Sequence, residues 1–161
     1  MHAQTTLVRD VMTKRPITIS PEASVGSAVE VMRERKIRHL PVLDGTGQLL
    51  GIITDRDLRA AAVAPALSEF LPAELRRAVK RAAQMLGELR VKDVMTWGVV
   101  TTRPEASVGE AGAVMFEHRI GSLPVRGEGT LVGIVTERDI FKALMMTIIP
   151  VRGVDPDTYF W

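Results

Sequence analysis

A chain of 161 residues is long enough for one domain with a real core, or for two small domains that share one. Hydrophobic residues make up 46% and charged residues 25%, and the net charge of +2 gives no reason to expect nucleic acid or a membrane surface as a partner. Cysteine is absent, which excludes disulfides, thiolate nucleophiles and Cys-built zinc sites, and fits a cytoplasmic location. No apolar run approaches the ~18 residues of a membrane span, and no secretory h-region follows Met1.

Along the chain, Ile17-Thr18-Ile19 reads as a short extended piece that ends before Pro21. Val25, Ala28, Val29 and Met32 then fall on one face of a helix, with Ser24 as its N-cap. Leu40 to Leu43 and Leu49 to Thr54 are β-rich runs joined by the turn Asp44-Gly45-Thr46-Gly47. Asp55 to Val63 reads as a helix whose first turn carries acid, where the macrodipole favours it. In the stretch 65–90, Leu71, Leu75, Ala78, Ala82, Met85 and Leu89 form an amphipathic seam, with Pro72 tolerated in the first turn. Its other side carries Arg76, Arg77, Lys80, Arg81 and Arg90, either a solvated face or a basic surface for nucleic acid or an acidic partner.

From Val91 onward the chain repeats itself. Val11-Met12-Thr13 recurs as Val94-Met95-Thr96, and Pro21 to Gly26 recurs letter for letter as Pro104 to Gly109, both at an offset of 83. Leu40-Pro41-Val42 becomes Leu123-Pro124-Val125. Gly51-Ile52-Ile53-Thr54-Asp55-Arg56-Asp57 becomes Gly133-Ile134-Val135-Thr136-Glu137-Arg138-Asp139. Ser107 has Glu110 three residues on, a capping box that Ser24 lacks. The organisation read from these matches is a first repeat over 7–64, an inserted helical linker over 65–90, a second repeat over 91–148 and a tail over 149–161. The tail ends in Tyr159-Phe160-Trp161, either frayed or docked on a subunit or partner.

The order V-M-T, extended segment and Pro, S-V-x-x-A, L-P-V and G-h-h-T-[D/E]-R-D resembles a CBS domain (named after cystathionine β-synthase) in both halves. That resemblance implies an α/β fold of two β-α-β-β-α repeats packed through their sheets about a pseudo-twofold axis, a Bateman module. It also implies clefts for AMP, ADP, ATP or S-adenosylmethionine, with NAD a further adenosine compound to consider. A homodimer, and an effector protein that receives the signal, are implied as well.

The residues themselves suit a nucleoside. A Thr at a strand end and an Asp three residues later place a hydroxyl beside a carboxylate, and an ionised carboxylate can accept from both cis hydroxyls of a ribose. Asp57 and Asp139 are assigned to ribose on this ground, with helix capping as the rival role. Thr54 and Thr136 can donate to a phosphate or ribose oxygen, helped by amides at the helix N-terminus. Arg38, His39, Arg56, Arg119 and Arg138 each flank a motif residue and are candidate phosphate cations; Arg56 and Arg138 could instead form ion pairs. By resemblance, Thr18 and Thr101 also line the clefts. Backbone groups beside Pro41 and Pro124 would meet the adenine edge, and Val11, Met12, Ile37, Leu40, Val94, Met95, Ile120 and Leu123 would sandwich the ring, although ordinary core packing explains these apolar residues equally well. The two repeats differ just before L-P-V, where Arg38-His39 is replaced by Gly121-Ser122, so the cleft with Thr54 and Asp57 is expected to hold an anionic nucleotide more tightly.

Catalysis is not expected. His2, His39 and His118 are the only histidines, and none lies at metal-ligand spacing from another. No G-x-S-x-G, Walker loop or H-E-x-x-H occurs. Asp55/Asp57 and Glu137/Asp139 are two residues apart on a helix and diverge, so they build no shared acid/base site. A nucleic-acid reader using the basic insertion, and a structural CBS pair without nucleotide, remain as alternatives.

Overall fold

The computed structural model describes residues 6–59, 72 and 89–148. The helix expected over 65–90, apart from Pro72, Leu89 and Arg90, and the aromatic tail lie outside the described residues. The chain divides into two compact units. A contiguous unit spans Ile17–Val99, and a split unit joins Met1–Pro16 to Val100–Trp161.

The elements in order are α1 (Val8–Val11), β1 (Thr13–Lys14), α2 (Val25–Arg35), β2 (His39–Leu43), β3 (Leu49–Thr54), α3 (Val91–Val94), β4 (Thr96–Trp97), α4 (Val108–His118), β5 (Ser122–Gly127), β6 (Thr130–Thr136) and α5 (Glu137–Ile148). Residues 55–59 are also helical. The contiguous unit holds the three-stranded sheet β2-β3-β4 and the split unit the sheet β1-β6-β5. All of these ladders are antiparallel.

The third strand of each sheet comes from the opposite repeat. Thr13 and Lys14 pair with Ile134 and Gly133, and Thr96 and Trp97 pair with Ile52 and Gly51. The sequence repeat and the compact unit are therefore different divisions of the chain, because the V-M-T segment of each repeat completes the sheet of the other. This crossing explains the glycine that opens each G-h-h-T motif. A Cβ on Gly51 would collide with the carbonyl oxygen of Thr96 and stand 3.2 Å from Met95 Sδ. One on Gly133 would stand 2.5 Å from Met12 Sδ and 3.1 Å from the Thr13 carbonyl oxygen. Close backbone approach, not a positive φ, is what demands glycine here.

Local chemistry sets the helix ends. Ser24 caps α2 by accepting from the Ser27 amide at 3.0 Å. Ser107 caps α4 by accepting from the Glu110 amide at 3.1 Å, and Glu110 Oε2 accepts from the Ser107 amide at 2.7 Å, completing the expected box. Both helices end in a left-handed residue, Lys36 at φ 53° and Arg119 at φ 55°. Asp10 and Asp93 fold back to accept from the Leu7 and Arg90 amides and fix the single-turn helices α1 and α3.

The expected first strand, Ile17–Ile19, is reduced to one parallel bridge between Ile19 and Val42, mirrored by Thr102 and Val125. That bridge accounts for the prolines. The Ile19 amide donates to the Pro41 carbonyl at 3.0 Å, and the Thr102 amide donates to the Pro124 carbonyl at 3.0 Å. A strand residue points its N and its C=O to the same side, so each proline's missing N–H faces away from the main ladder and costs it nothing.

Each unit has its own core. Ala28, Met32, Leu40, Val42, Ile53, Leu58, Val91 and Met95 cluster in the contiguous unit. The split unit buries Val8, Ala106, Val108, Ala111, Met115, Leu123, Val125, Val135 and Ile140. Fully burying one such aliphatic side chain contributes about 1.5–3 kcal/mol. The expected α2 stripe holds at Ala28 and Met32 but not at Val29, which is 46% exposed. Its counterpart in α4 is Gly112, where a Cβ would stand 3.3 Å from Ile140 Cγ2.

Candidate functional site

Each unit presents the same constellation where the second strand of its hairpin runs into a helix. In the contiguous unit, Thr54 ends β3. Its amide and its hydroxyl both donate to Asp57 Oδ2 at 2.8 Å, and the Asp57 amide points back to Thr54 Oγ1 at 3.4 Å. In the split unit, Thr136 and Asp139 repeat this at 2.8, 2.7 and 3.4 Å. T-x-x-D is thus a reciprocal helix cap. It gathers both donors on one carboxylate oxygen, and Oδ1 of Asp57 and of Asp139 has no hydrogen-bond partner among the described residues. With its proton engaged, each Thr hydroxyl retains lone pairs and acts as an acceptor, so the expected donation to a ligand requires the cap to open. All four side chains are half-buried.

The preceding strand closes the site from the other side. The Asp55 amide donates to the Arg38 carbonyl, and the Glu137 amide to the Gly121 carbonyl, each at 3.0 Å. His39 lies directly across from Thr54, and Ser122 across from Thr136. Directly paired residues share a sheet face, so His39, Pro41, Ile52 and Thr54 line one face, while Leu40, Val42 and Ile53 belong to the core on the other.

The expected site residues sort into two sets. The contiguous unit gathers Thr18, Ile37, Arg38, His39, Leu40, Pro41, Thr54, Arg56, Asp57, Val94 and Met95. The split unit gathers Val11, Met12, Thr101, Arg119, Ile120, Leu123, Pro124, Thr136, Arg138 and Asp139. Val11 and Met12 therefore join Ile120, and Val94 joins Ile37, around the core of the opposite repeat. Leu40 and Leu123 are fully buried core residues on the face opposite the Thr. Ile37, Val94, Val11, Met12 and Ile120 are half-buried and keep some accessible apolar surface. Arg38, Arg56, Arg119 and Arg138 are exposed, Thr18 is exposed and Thr101 half-buried.

Ser122 was not among the expected residues, although its place just before L-P-V, in register with Thr136, is a usable signal. It is 6% exposed. A separate concavity of about 460 Å³ in the split unit is lined by Thr101, Thr102, Arg103, Ala106, Glu110, Arg126 and Gly129. It lies toward the β5–β6 turn, and of the expected residues only Thr101 reaches it.

Two carboxylates elsewhere in the chain are held in their charged form by local hydrogen bonds. The Thr46 hydroxyl and the Gln48 amide hold Asp44 below its ordinary value in the β2–β3 turn. The Ser107 amide and hydroxyl, with Arg103 nearby, do the same for Glu110. Among the described residues no group of three or more His, Asp or Glu could hold a metal ion, and no helix is long and apolar enough to cross a membrane.

Comparison with known proteins finds relatives with the same fold. A CBS domain-containing protein of Dictyostelium discoideum is 35% identical over 149 residues, covering 90% of this chain and 95% of its own. Among solved structures, Arabidopsis thaliana CBSX2 in complex with AMP superposes with a TM-score of 0.70 at 26% identity, covering 88% of this chain and 98% of its own. The CBS domain pair of protein MJ0100 in complex with 5′-methylthioadenosine and S-adenosyl-L-methionine gives 0.71 at 28% identity, covering 89% and 98%. The CBS domain model matches residues 8–64 and 91–146, and the chain belongs to the CBS domain family, as a pair.

Proposed function

We propose that the chain is a non-catalytic regulatory module that binds adenosine-containing ligands, one site per unit, and relays their presence to a partner protein. The observation that carries the reading is the duplicated Thr–Asp cap with a free carboxylate oxygen. Oδ1 of Asp57 and of Asp139 is a carboxylate acceptor in a half-buried setting, suited to a ribose hydroxyl. A hydrogen bond to such a charged group contributes about 1.5–3 kcal/mol. Ile37 with Val94, and Ile120 with Val11 and Met12, offer apolar surface for a base. That two similar CBS pairs were crystallised with AMP, and with 5′-methylthioadenosine and S-adenosyl-L-methionine, supports the ligand class. A cytoplasmic homodimer acting on a separate effector is part of the same reading. Light scattering at tens of micromolar is expected to give at least a dimer, and a stable monomer would remove that part.

One observation favours a second reading. The caps are complete without any ligand, so the same Thr and Asp would persist in a CBS pair that serves only protein contact. A thermal-shift screen of AMP, ADP, ATP, NAD and S-adenosylmethionine separates the two. A ligand at 100 times its Kd adds about 2.7 kcal/mol, roughly 5–10 °C for a chain of this size. A midpoint that no adenosine compound moves by a degree at millimolar concentration would favour the structural reading.

A further inference from the structure

We propose that Ser122 is a specificity-determining residue which fits the split unit's site to an adenosine compound with an uncharged 5′ end, while the contiguous unit takes the 5′-phosphorylated form. The inference rests on the proposed function and deepens it. Ser122 stands directly across from Thr136, on the same sheet face and one residue after the carbonyl that accepts from Glu137. It is 94% buried (6% exposed), and its hydroxyl has no hydrogen-bond partner among the described residues. No buried side-chain oxygen or nitrogen lacks a partner there, so this hydroxyl reaches accessible space. A hydroxyl that is nearly enclosed, unpartnered and across the ladder from the Thr136 that caps onto Asp139 is placed to bond a ligand.

The other unit supplies the control. Cations at two positions are common to both sites, Lys36 matching Arg119 and Arg56 matching Arg138, and the acid pairs Asp55/Asp57 and Glu137/Asp139 match as well. Among the residues expected at the site, the charge difference lies at two neighbours, Arg38-His39 in one unit and Gly121-Ser122 in the other. A phosphate in the split unit would meet the same two acids with one or two fewer cations. A neutral thioether nucleoside escapes that repulsion and still finds a hydroxyl that donates and accepts.

Calorimetric titration of the full chain with AMP and with 5′-methylthioadenosine tests this, Asp57→Ala and Asp139→Ala assigning each phase to a unit. The thioether nucleoside is expected to bind in the phase lost in Asp139→Ala. Ser122→Ala should weaken it about five- to tenfold while leaving the Asp57-dependent AMP phase unchanged. His39→Ser, at a half-buried position, should weaken AMP about tenfold and serves if Ser122→Ala does not fold. Binding of both ligands with a preference that neither substitution alters, or the thioether nucleoside in the Asp57-dependent phase, overturns the assignment of Ser122. Binding of neither ligand overturns the proposed function, and this inference with it.

Discussion

The contiguous and split units are two solutions of one folding problem, and they agree where backbone is constrained and diverge where it is not. Both keep the glycine under the crossing V-M-T segment, the Thr–Asp cap and the proline whose lost amide faces outward. They differ at the helix face, where Val29 is exposed and Gly112 is packed on Ile140, and at the helix start, where Ser27 stands in for Glu110. They differ most at the site's edge, with Arg38-His39 against Gly121-Ser122. Duplication thus preserves the parts that hold the Thr–Asp cap and frees the residues at its edge.

The largest expected effect sharpens the comparison at the glycines. Gly51→Ala meets a backbone carbonyl, which cannot move aside, whereas Gly133→Ala first meets the flexible Met12 thioether. Urea unfolding should show a loss of about 2–4 kcal/mol for Gly51→Ala and about 1–2 kcal/mol for Gly133→Ala. Equal or negligible losses would mean that the V-M-T segments do not lie over both glycines.

A smaller and symmetric effect is expected at the caps. Asp57→Ala and Asp139→Ala each remove a carboxylate that takes two donors, so each should cost about 1 kcal/mol in the absence of ligand. A difference above about 1 kcal/mol between them would break the equivalence of the two sites.

The smallest effect lies at the helix starts and depends on pH. Glu110 is held below its ordinary value by the Ser107 amide, then by the Ser107 hydroxyl and Arg103. A depressed folded-state value means that its stabilisation is present above the ordinary carboxylate range and fades as pH falls through the lowered value. Acid titration of stability should therefore be shallower in Glu110→Gln, while Ser27→Ala leaves the profile unchanged. An identical profile in Glu110→Gln would remove the box as an electrostatic device.

Much of this was legible from residues alone. The repeat, the α2 stripe at Ala28 and Met32, the Ser107–Glu110 box, the β2–β3 hairpin with its turn and the pairing of Thr with Asp followed from periodicity and capping chemistry. The third strands were not, because two-residue strands have no periodicity and exist only through pairing with a distant repeat. Ile17–Ile19 read as a strand from its β-branched residues, yet tertiary context allows it one bridge. Leu40 and Leu123 read as ring neighbours by motif, and only the ladder register puts them on the core face. Ser122 stood in the sequence only as half of the Gly121-Ser122 replacement, and its place across from Thr136 is a property of register, not of spacing.

Calorimetric titration of AMP into the wild-type chain and the Asp57→Ala/Asp139→Ala double variant decides whether these two carboxylates hold an adenosine ligand, as proposed. Saturable binding by the wild type, lost in a double variant that still unfolds cooperatively, is the predicted result. Undiminished binding by the double variant, or no binding by the wild type at millimolar AMP, would contradict the account.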